Sequence, residues 1–326
     1  MENQINKSGE PSVLIVVLNW MKYEDTINCV HSLLKLSYTN YKILIIDNNS
    51  LNDSVQKLTS SFPNIQLEIS KENNGFAAGN KIGVDYGLKN NFDLVWLLNN
   101  DCVVRQDSLF ELIEGYKRNG DAIYSNLTLM SENPDIIHYA GTYEIDEELQ
   151  PELYPTYDKL RGKLLDDYKD SLVEKPARIY GHSMLIPNDI IREFGFMDSK
   201  YFMFYEEGDY TRSLLKENIL TIFIPKAIIT HISSSSLQLS PKMKFIGIYY
   251  GARNKVYFDA KFGYKESSII IQKKGGILGL LKFLIRYKFS TKVKRIEFEN
   301  DYYTCLGLIH GLLGIRGKTL KPEKLI

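Results

Sequence analysis

The chain has 326 residues, 44% hydrophobic and 25% charged, with 40 Lys and Arg against 40 Asp and Glu. That length predicts one large domain with an appendage, or two smaller domains. Zero net charge argues against a nucleic-acid binder. Cys29, Cys102 and Cys305 match no zinc or redox spacing, which fits free thiols in a reducing cytoplasm.

Residues 1–11, MENQINKSGEP, are polar, lack the apolar core of a signal peptide and are expected to be disordered. No apolar run reaches the ~18 residues of a transmembrane helix. The periodicity then predicts a buried strand over Ser12–Trp20 and a helix in EDTINCVHSLLKL, with Ile27, Val30, Leu33 and Leu34 on one side. A second buried strand follows over Tyr41–Ser50, then a helix capped by Asn52 or Asp53, a short strand IQLEIS, and a helix opened by glycine in GFAAGNKIGVDYGL. The run LVWLLN is apolar on both faces, as in a parallel strand. These βα units predict a parallel sheet with right-handed crossovers. Residues 144–175, rich in acid, tyrosine and proline, are expected to form a surface excursion. Beyond it come a strand in ARIYGHSMLIP, a short helix NDIIREFG with an Asn or Asp cap and Gly195 at its end, a helix in EEGDYTRSLLKEN, one or two strands in ILTIFIPKAIITHI, and amphipathic helices from about Ser240.

Three strand ends finish in polar side chains: Asn19, Asp47, and Asn99 with Asp101. Ligands of open α/β sheets sit beyond the carboxyl ends of strands. A lone Asp at such a place is usually a turn former, and NNS after Asp47 keeps an Asx-turn open there. The stretch NNGFAAGN is not GxGxxG, so no dinucleotide fingerprint is present. Its Gly75 and Gly79 suit close backbone approach, either as a tight strand-to-helix turn or as the wall of a nucleotide pocket. In FMFYEEGDYTRSL, Glu206, Glu207 and Asp209 follow an aromatic run. A charged helix start accounts for them on a solvated face; apolar surroundings would raise a carboxylate's pKa and make it a proton acceptor. His231, after an apolar strand, is either a satisfied polar residue or a metal ligand that with Asp101 would suit Mn²⁺ or Mg²⁺.

The segments VVLNW, IIDNNSLNDS, NNGFAAGNKIG, WLLNNDCVV, GHSMLIP, FYEEGDYTRSL and ITHISSSS, in this order, resemble the family-2 glycosyltransferases, and most of all their rhamnosyltransferase-like branch in bacterial polysaccharide synthesis. The resemblance spans residues 12–258, including YYGARNKVYF. It implies an α/β GT-A fold, Rossmann-like with a mostly parallel central sheet and a C-terminal helical extension. It also implies inverting transfer of a sugar, rhamnose from dTDP-rhamnose in the first instance, from a nucleotide diphosphate donor. The acceptor would be a saccharide or a polyprenyl-diphosphate-linked saccharide, and a divalent cation, Mn²⁺ or Mg²⁺, would assist. By the same resemblance Asp47 holds the nucleotide base, NND stands for DxD with Asp101 on the metal, His231 lies near metal and diphosphate, and Glu207 is the general base, with Asp209 as the alternative. The nucleotide-sugar set is Asn19, Asp47, Asn49, Asn74, Gly75, Asn80, Asn99, Asn100 and Asp101; the acceptor side is Gly181, His182, Ser183 and Glu206. Two departures stand out. Asn99 replaces the first Asp of DxD, and Glu207 is one methylene longer than the usual Asp.

A UDP-hexose or UDP-galactofuranose transferase is the alternative within enzymes, and a catalytically silent nucleotide-sugar-binding scaffold the alternative of another class. The expected division is a catalytic domain over 12–258, with a nucleotide half at about 12–105 and an acceptor half at about 120–258, and an extension over 259–326. From Lys273 to Arg295 the extension carries eight basic and no acidic residues among apolar ones. Such a segment is expected to lie on an anionic membrane surface, as a peripheral protein of the cytoplasmic leaflet, or to pack as an ordinary helix on this chain or in a homodimer.

Overall fold

The computed structural model describes residues 9–141, 160–232 and 240–324. The first eight residues of the segment expected to be disordered, the first half of the acidic excursion and the serines after His231 lie outside the described residues.

The chain opens with β1 (Val13–Asn19), α1 (Tyr23–Leu33), β2 (Tyr41–Asp47), α2 (Ser54–Ser61), β3 (Gln66–Ile69), α3 (Phe76–Lys89) and β4 (Leu94–Asn99). Next come β5 (Cys102–Val104), α4 (Ser108–Asn119), β6 (Ile123–Met130), β7 (Ile137–Tyr139), β8 (Lys175–Pro176), β9 (Ser183–Pro187), α5 (Asn188–Phe194), α6 (Glu206–Leu215) and β10 (Thr221–His231). Helices α7 (Met243–Phe262), α8 (Glu266–Lys273), α9 (Gly276–Lys288), α10 (Lys292–Glu297) and α11 (Glu299–Leu312) complete it. The sheet order is β3-β2-β1-β4-β9-β6-β10-β5, with β7 beside β6 and β8 beside β10.

The helical crossovers make β3, β2, β1 and β4 parallel, with Asn19 level with Asp47 and Leu18 level with Asn99. Polar strand ends therefore gather on one sheet edge. Strand alternation splits the core: Ile15, Val17, Trp96 and Leu98 face one layer, Leu14, Val16, Val95 and Leu97 the other. The parallel run ends at β4. Strand β9 arrives through the long excursion, not through a helical crossover, and pairs antiparallel to β4. The last apolar segment is one strand, β10, parallel to β6, with its register broken between Ile224 and Ile228 around Pro225. Its end pairs antiparallel with β5, placing His231 opposite Cys102.

Two local expectations need correction, and one is resolved between its alternatives. Helix α1 ends before Leu34, which is 53% exposed and not on the buried side. Of the two candidates at the start of α2, Asp53 stands at the N-cap position without a side-chain bond, and Asn52 supplies the bond, its Oδ1 accepting the Ser54 N–H at 3.2 Å. Neither Asn188 nor Asp189 caps α5; Asn188 is buried and donates to the Phe92 carbonyl at 2.6 Å. The expected domain boundary at 258 falls inside α7, along which α11 packs: a Cβ on Gly307 would sit 2.5 Å from the Tyr249 carbonyl oxygen.

Candidate active site

The strand-end edge is a satisfied polar network. Asn19 donates to Asp47 Oδ2 at 2.7 Å and accepts from Thr26 Oγ1 at 2.8 Å. Asp47 Oδ1 accepts the Ser50 N–H at 2.8 Å, so its side chain fixes the turn through the residue three positions on rather than two as in an Asx-turn. Asn100 donates to Thr26 Oγ1 at 2.9 Å and to the Lys22 carbonyl at 3.1 Å. Asn19 and Asp47 are fully buried and do not line the cavity above them.

That cavity, about 310 Å³, lies beyond the ends of β1 and β4 and runs to the start of α6. Of the expected nucleotide-sugar residues, Gly75, Asn99, Asn100 and Asp101 line it; Asn49, Asn74 and Asn80 do not. Asn80 donates to the Phe76 carbonyl within α3 at 3.1 Å. Their neighbours Asn48 and Asn73 line it instead, bonded Nδ2 to Oδ1 at 3.1 Å. The left-handed turn at Asn49 (φ 61°) points Asn48 inward. An Asn-Asn pair does not show from sequence which member faces in. Gly75 (φ +91°) abuts Phe202, whose carbonyl a Cβ would meet at 1.9 Å. Only glycine fits there. Trp20 Nε1 and Asn48 Oδ1 are buried on this wall without a hydrogen-bond partner among the described residues. Such groups are the mark of a surface made for a polar ligand. Trp20, Asn48 and Asn73 were not anticipated as site residues.

At the β4–β5 turn, Asp101 and His231 come together, Oδ1 to Nε2 at 3.0 Å, both buried. Their ligating atoms and the Cys102 thiol lie within 4.8 Å of one another. Burial pushes the Cys102 thiol well up, and it points at the His182 carbonyl at 3.7 Å, so carboxylate and imidazole are the natural oxygen and nitrogen donors for a divalent cation. His231 stacks on His182 at 4.6 Å, with His138 5.4 Å away. Burial pushes His138 down to about 4 and His182 well below its ordinary value, so both are neutral. His182 bonds Thr128 Oγ1 at 2.7 Å. Sequence patterning gave no signal for His138, which sits on the short strand β7.

The opposite wall is the start of α6. The preceding loop holds Phe202, Phe204 and Tyr205 at positive φ (69°, 65° and 74°). Left-handed non-glycine residues cost about 1–3 kcal/mol each. The loop is held by the YYGARN segment of α7. Asn254 Nδ2 donates to the carbonyls of Tyr201, Met203 and Phe204 at 3.0, 2.6 and 3.0 Å. Arg253, fully buried, donates to the Tyr201 carbonyl at 2.7 Å and to Thr319 Oγ1 at 3.0 Å. The chain end thereby braces the site, and Pro322 lines the cavity. Glu206 and Glu207 line it too. Burial, then the Glu207 charge, pushes Glu206 well above the carboxylate range; burial raises Glu207 as well, opposed by the Arg178 guanidinium. Gly181 lies close to Glu207, its Cβ position 3.2 Å from Glu207 Cγ. Gly181 and His182 line the cavity, whereas Ser183 is buried below it, accepting from Trp96 Nε1 at 3.0 Å. Asp209 is off the cavity as well. It accepts from Tyr201 Oη at 2.7 Å and pairs with Lys261.

Comparison with known proteins agrees with this geometry. Over 314 residues the chain is 22% identical to the low-salt glycan biosynthesis hexosyltransferase Agl10 of Haloferax volcanii, covering 95% of this chain and 93% of that one. The structure is similar to that of GalNAc-T7 with UDP, GalNAc and Mn²⁺ (TM-score 0.54, 14% identity), covering 77% of this chain. This chain spans only 51% of that one, and the likeness establishes the GT-A-type α/β fold. The family model described as glycosyl transferase family 2 matches residues 12–174, half of the chain. The chain belongs to glycosyl transferase family 2 and is a glycosyltransferase.

Proposed function

We propose that the chain moves a sugar, with inversion, from a nucleoside diphosphate donor to a saccharide or lipid-linked saccharide. The observation that carries this is one cavity lined by Asp101, His231 and Glu207 together. The nucleoside would lie over Asn48, Asn73 and Gly75, with Asp47 and Asn19 fixing the turn beneath. A divalent cation, Mn²⁺ or Mg²⁺, held by Asp101 and His231 would offset the charge of the leaving diphosphate. Glu207 takes the proton of the acceptor hydroxyl as its oxygen bonds the anomeric carbon, and the bond to the diphosphate oxygen breaks with its electron pair. Asp209, tied to Tyr201 and Lys261, supports α6 instead. The hexosyltransferase relative and the UDP-bearing structure favour a UDP-hexose over dTDP-rhamnose as donor. The test is release of nucleoside diphosphate from a panel of UDP-, dTDP- and GDP-sugars with Mn²⁺. Turnover of one donor, lost in Asp101→Ala, is expected; binding without any turnover would mean a silent scaffold.

The same proposal places the chain on an anionic, cytoplasm-facing membrane surface. No helix among the described residues is long and apolar enough to cross a membrane. Leu278, Phe289 and Val293 are 70%, 81% and 75% exposed, and Ile277, Ile285 and Ile296 are exposed beside them. The same segment carries eight basic residues between Lys273 and Arg295, of which Lys274 pairs with Asp301 at 2.8 Å. Apolar residues edged with cations suit an anionic lipid surface. Two such faces in a homodimer would repel. Co-sedimentation with anionic liposomes is expected at low salt and should fade as salt is added; no binding at low salt would refute the membrane assignment.

A further inference from the structure

A second cavity, about 350 Å³, lies on the other side of Glu207 and Phe204, which line both. Its walls are unlike those of the first. One side is a face of α7 formed by Gly247, Gly251, Lys255 and Phe258. Glycine is a poor residue in a helix interior and is kept where space is needed. Gly251 is not required by packing, since a Cβ there would meet nothing within 4 Å. The room it leaves belongs to the cavity. Across from it, Tyr264 stacks on Phe258 at 5.7 Å and 19°, and the Arg212 guanidinium lies 4.8 Å from the Tyr264 ring. Phe258, Tyr264 and Arg212 all line the cavity and form an aromatic platform on one of its walls.

The charges lining this cavity balance. Arg178, Arg212 and Lys255 face Glu207, Asp259 and Glu266. A diphosphate would need an excess of cations, which is absent. A sugar ring fits better, because its C–H face packs on aromatic rings while its hydroxyls both donate and accept, and so use carboxylates and cations alike.

We infer that this second cavity is the subsite for the saccharide of the acceptor, with Glu207 as the wall across which acceptor and donor meet. The inference rests on the proposed function and deepens it. A ring on the Phe258–Tyr264 platform presents a hydroxyl to Glu207 from the side away from Asp101. Its oxygen then bonds the anomeric carbon, its proton passes to the Glu207 carboxylate, and the bond to the diphosphate oxygen breaks with its electron pair. Inverting transfer needs this opposed approach.

The test uses the full chain and saturation-transfer NMR with a panel of methyl hexosides and methyl 6-deoxyhexosides, alongside UDP and dTDP with Mn²⁺. At least one methyl glycoside should receive saturation from the wild type. Gly251→Leu, which fills the cavity, should weaken that binding by about tenfold or more while leaving nucleoside diphosphate binding unchanged. Gly251→Ala should raise Tm, since no neighbour opposes the added methyl. If Gly251→Leu fails to fold, Tyr264→Leu removes the platform and should give the same loss. Nucleoside diphosphate binding without any glycoside binding would overturn the subsite and leave the donor site standing. So would glycoside binding that both variants leave unaltered. Absence of nucleoside diphosphate binding from the wild type would instead overturn the proposed function on which the subsite rests.

Discussion

At the strand-end wall of the first cavity, Asn19, Thr26, Asp47 and Asn100 satisfy one another and the backbone. At the α6 wall, three residues stand in left-handed conformations, and Glu206 keeps a buried oxygen without a hydrogen-bond partner among the described residues. The first wall is ordinary sheet-edge chemistry made rigid. The second holds strain and desolvated carboxylates, and it is held by Arg253 and Asn254 from α7 and by the Phe76 N–H, which donates to the Phe202 carbonyl at 3.0 Å. Strain of this kind gathers where a structure is held for function and not for stability. The contrast also separates the carboxylates. Asp47 and Asp209 are engaged by structural partners, whereas Glu207 faces both cavities.

The contrast breaks most sharply at Glu207. Glu207→Gln keeps the shape and removes the proton acceptor, so turnover should fall by ~10² or more while nucleoside diphosphate binding persists. If Asp209→Asn abolishes turnover in a folded, nucleotide-binding protein and Glu207→Gln does not, the two carboxylates have been given each other's roles.

Stability comes next. Asn254→Ala leaves three loop carbonyls without this donor, and a buried unsatisfied group costs about 1–3 kcal/mol, so a large fall in Tm together with loss of turnover is expected. Asp47→Asn disturbs the other wall. Its amide would face either the Asn19 amide or the Ser50 N–H, donor against donor, at about 1–3 kcal/mol. Its effect should appear in Tm more than in turnover. Equal losses of turnover in the two folded variants would erase the distinction between the walls.

The smallest effect sharpens the α6 wall by pH. As the proposed base, Glu207 would act only when ionised, and burial raises its pKa, so the acidic limb of the rate profile should lie above the ordinary Glu value of about 4.3. Activity is then lost as pH falls through that raised pKa. Arg178 opposes the rise, so Arg178→Met should move the limb to still higher pH. A limb that stays put, or moves down, would show that another group titrates there.

The alternation of buried strands with helices and polar ends was written in the sequence, because a strand apolar on both faces can sit only in the middle of a layered sheet. That placed Asp101 at a strand end, and the aromatic run before Glu206 and Glu207 marked a desolvated helix start. Other decisions came from long-range packing. The antiparallel pairing of β9 with β4 joins segments nearly ninety residues apart, and the Asp101–His231 contact depends on β5 pairing with β10 across more than a hundred residues. Asn48 and Asn73, not Asn49 and Asn74, line the cavity, and two identical neighbours carry no difference in residue type that could tell which. Likewise, periodicity alone could not show that Arg253 and Asn254 brace the α6 loop, or that Gly251 leaves room beside Glu207. A side chain's partner is chosen by the fold that brings distant segments together, and its chemistry becomes a role only there.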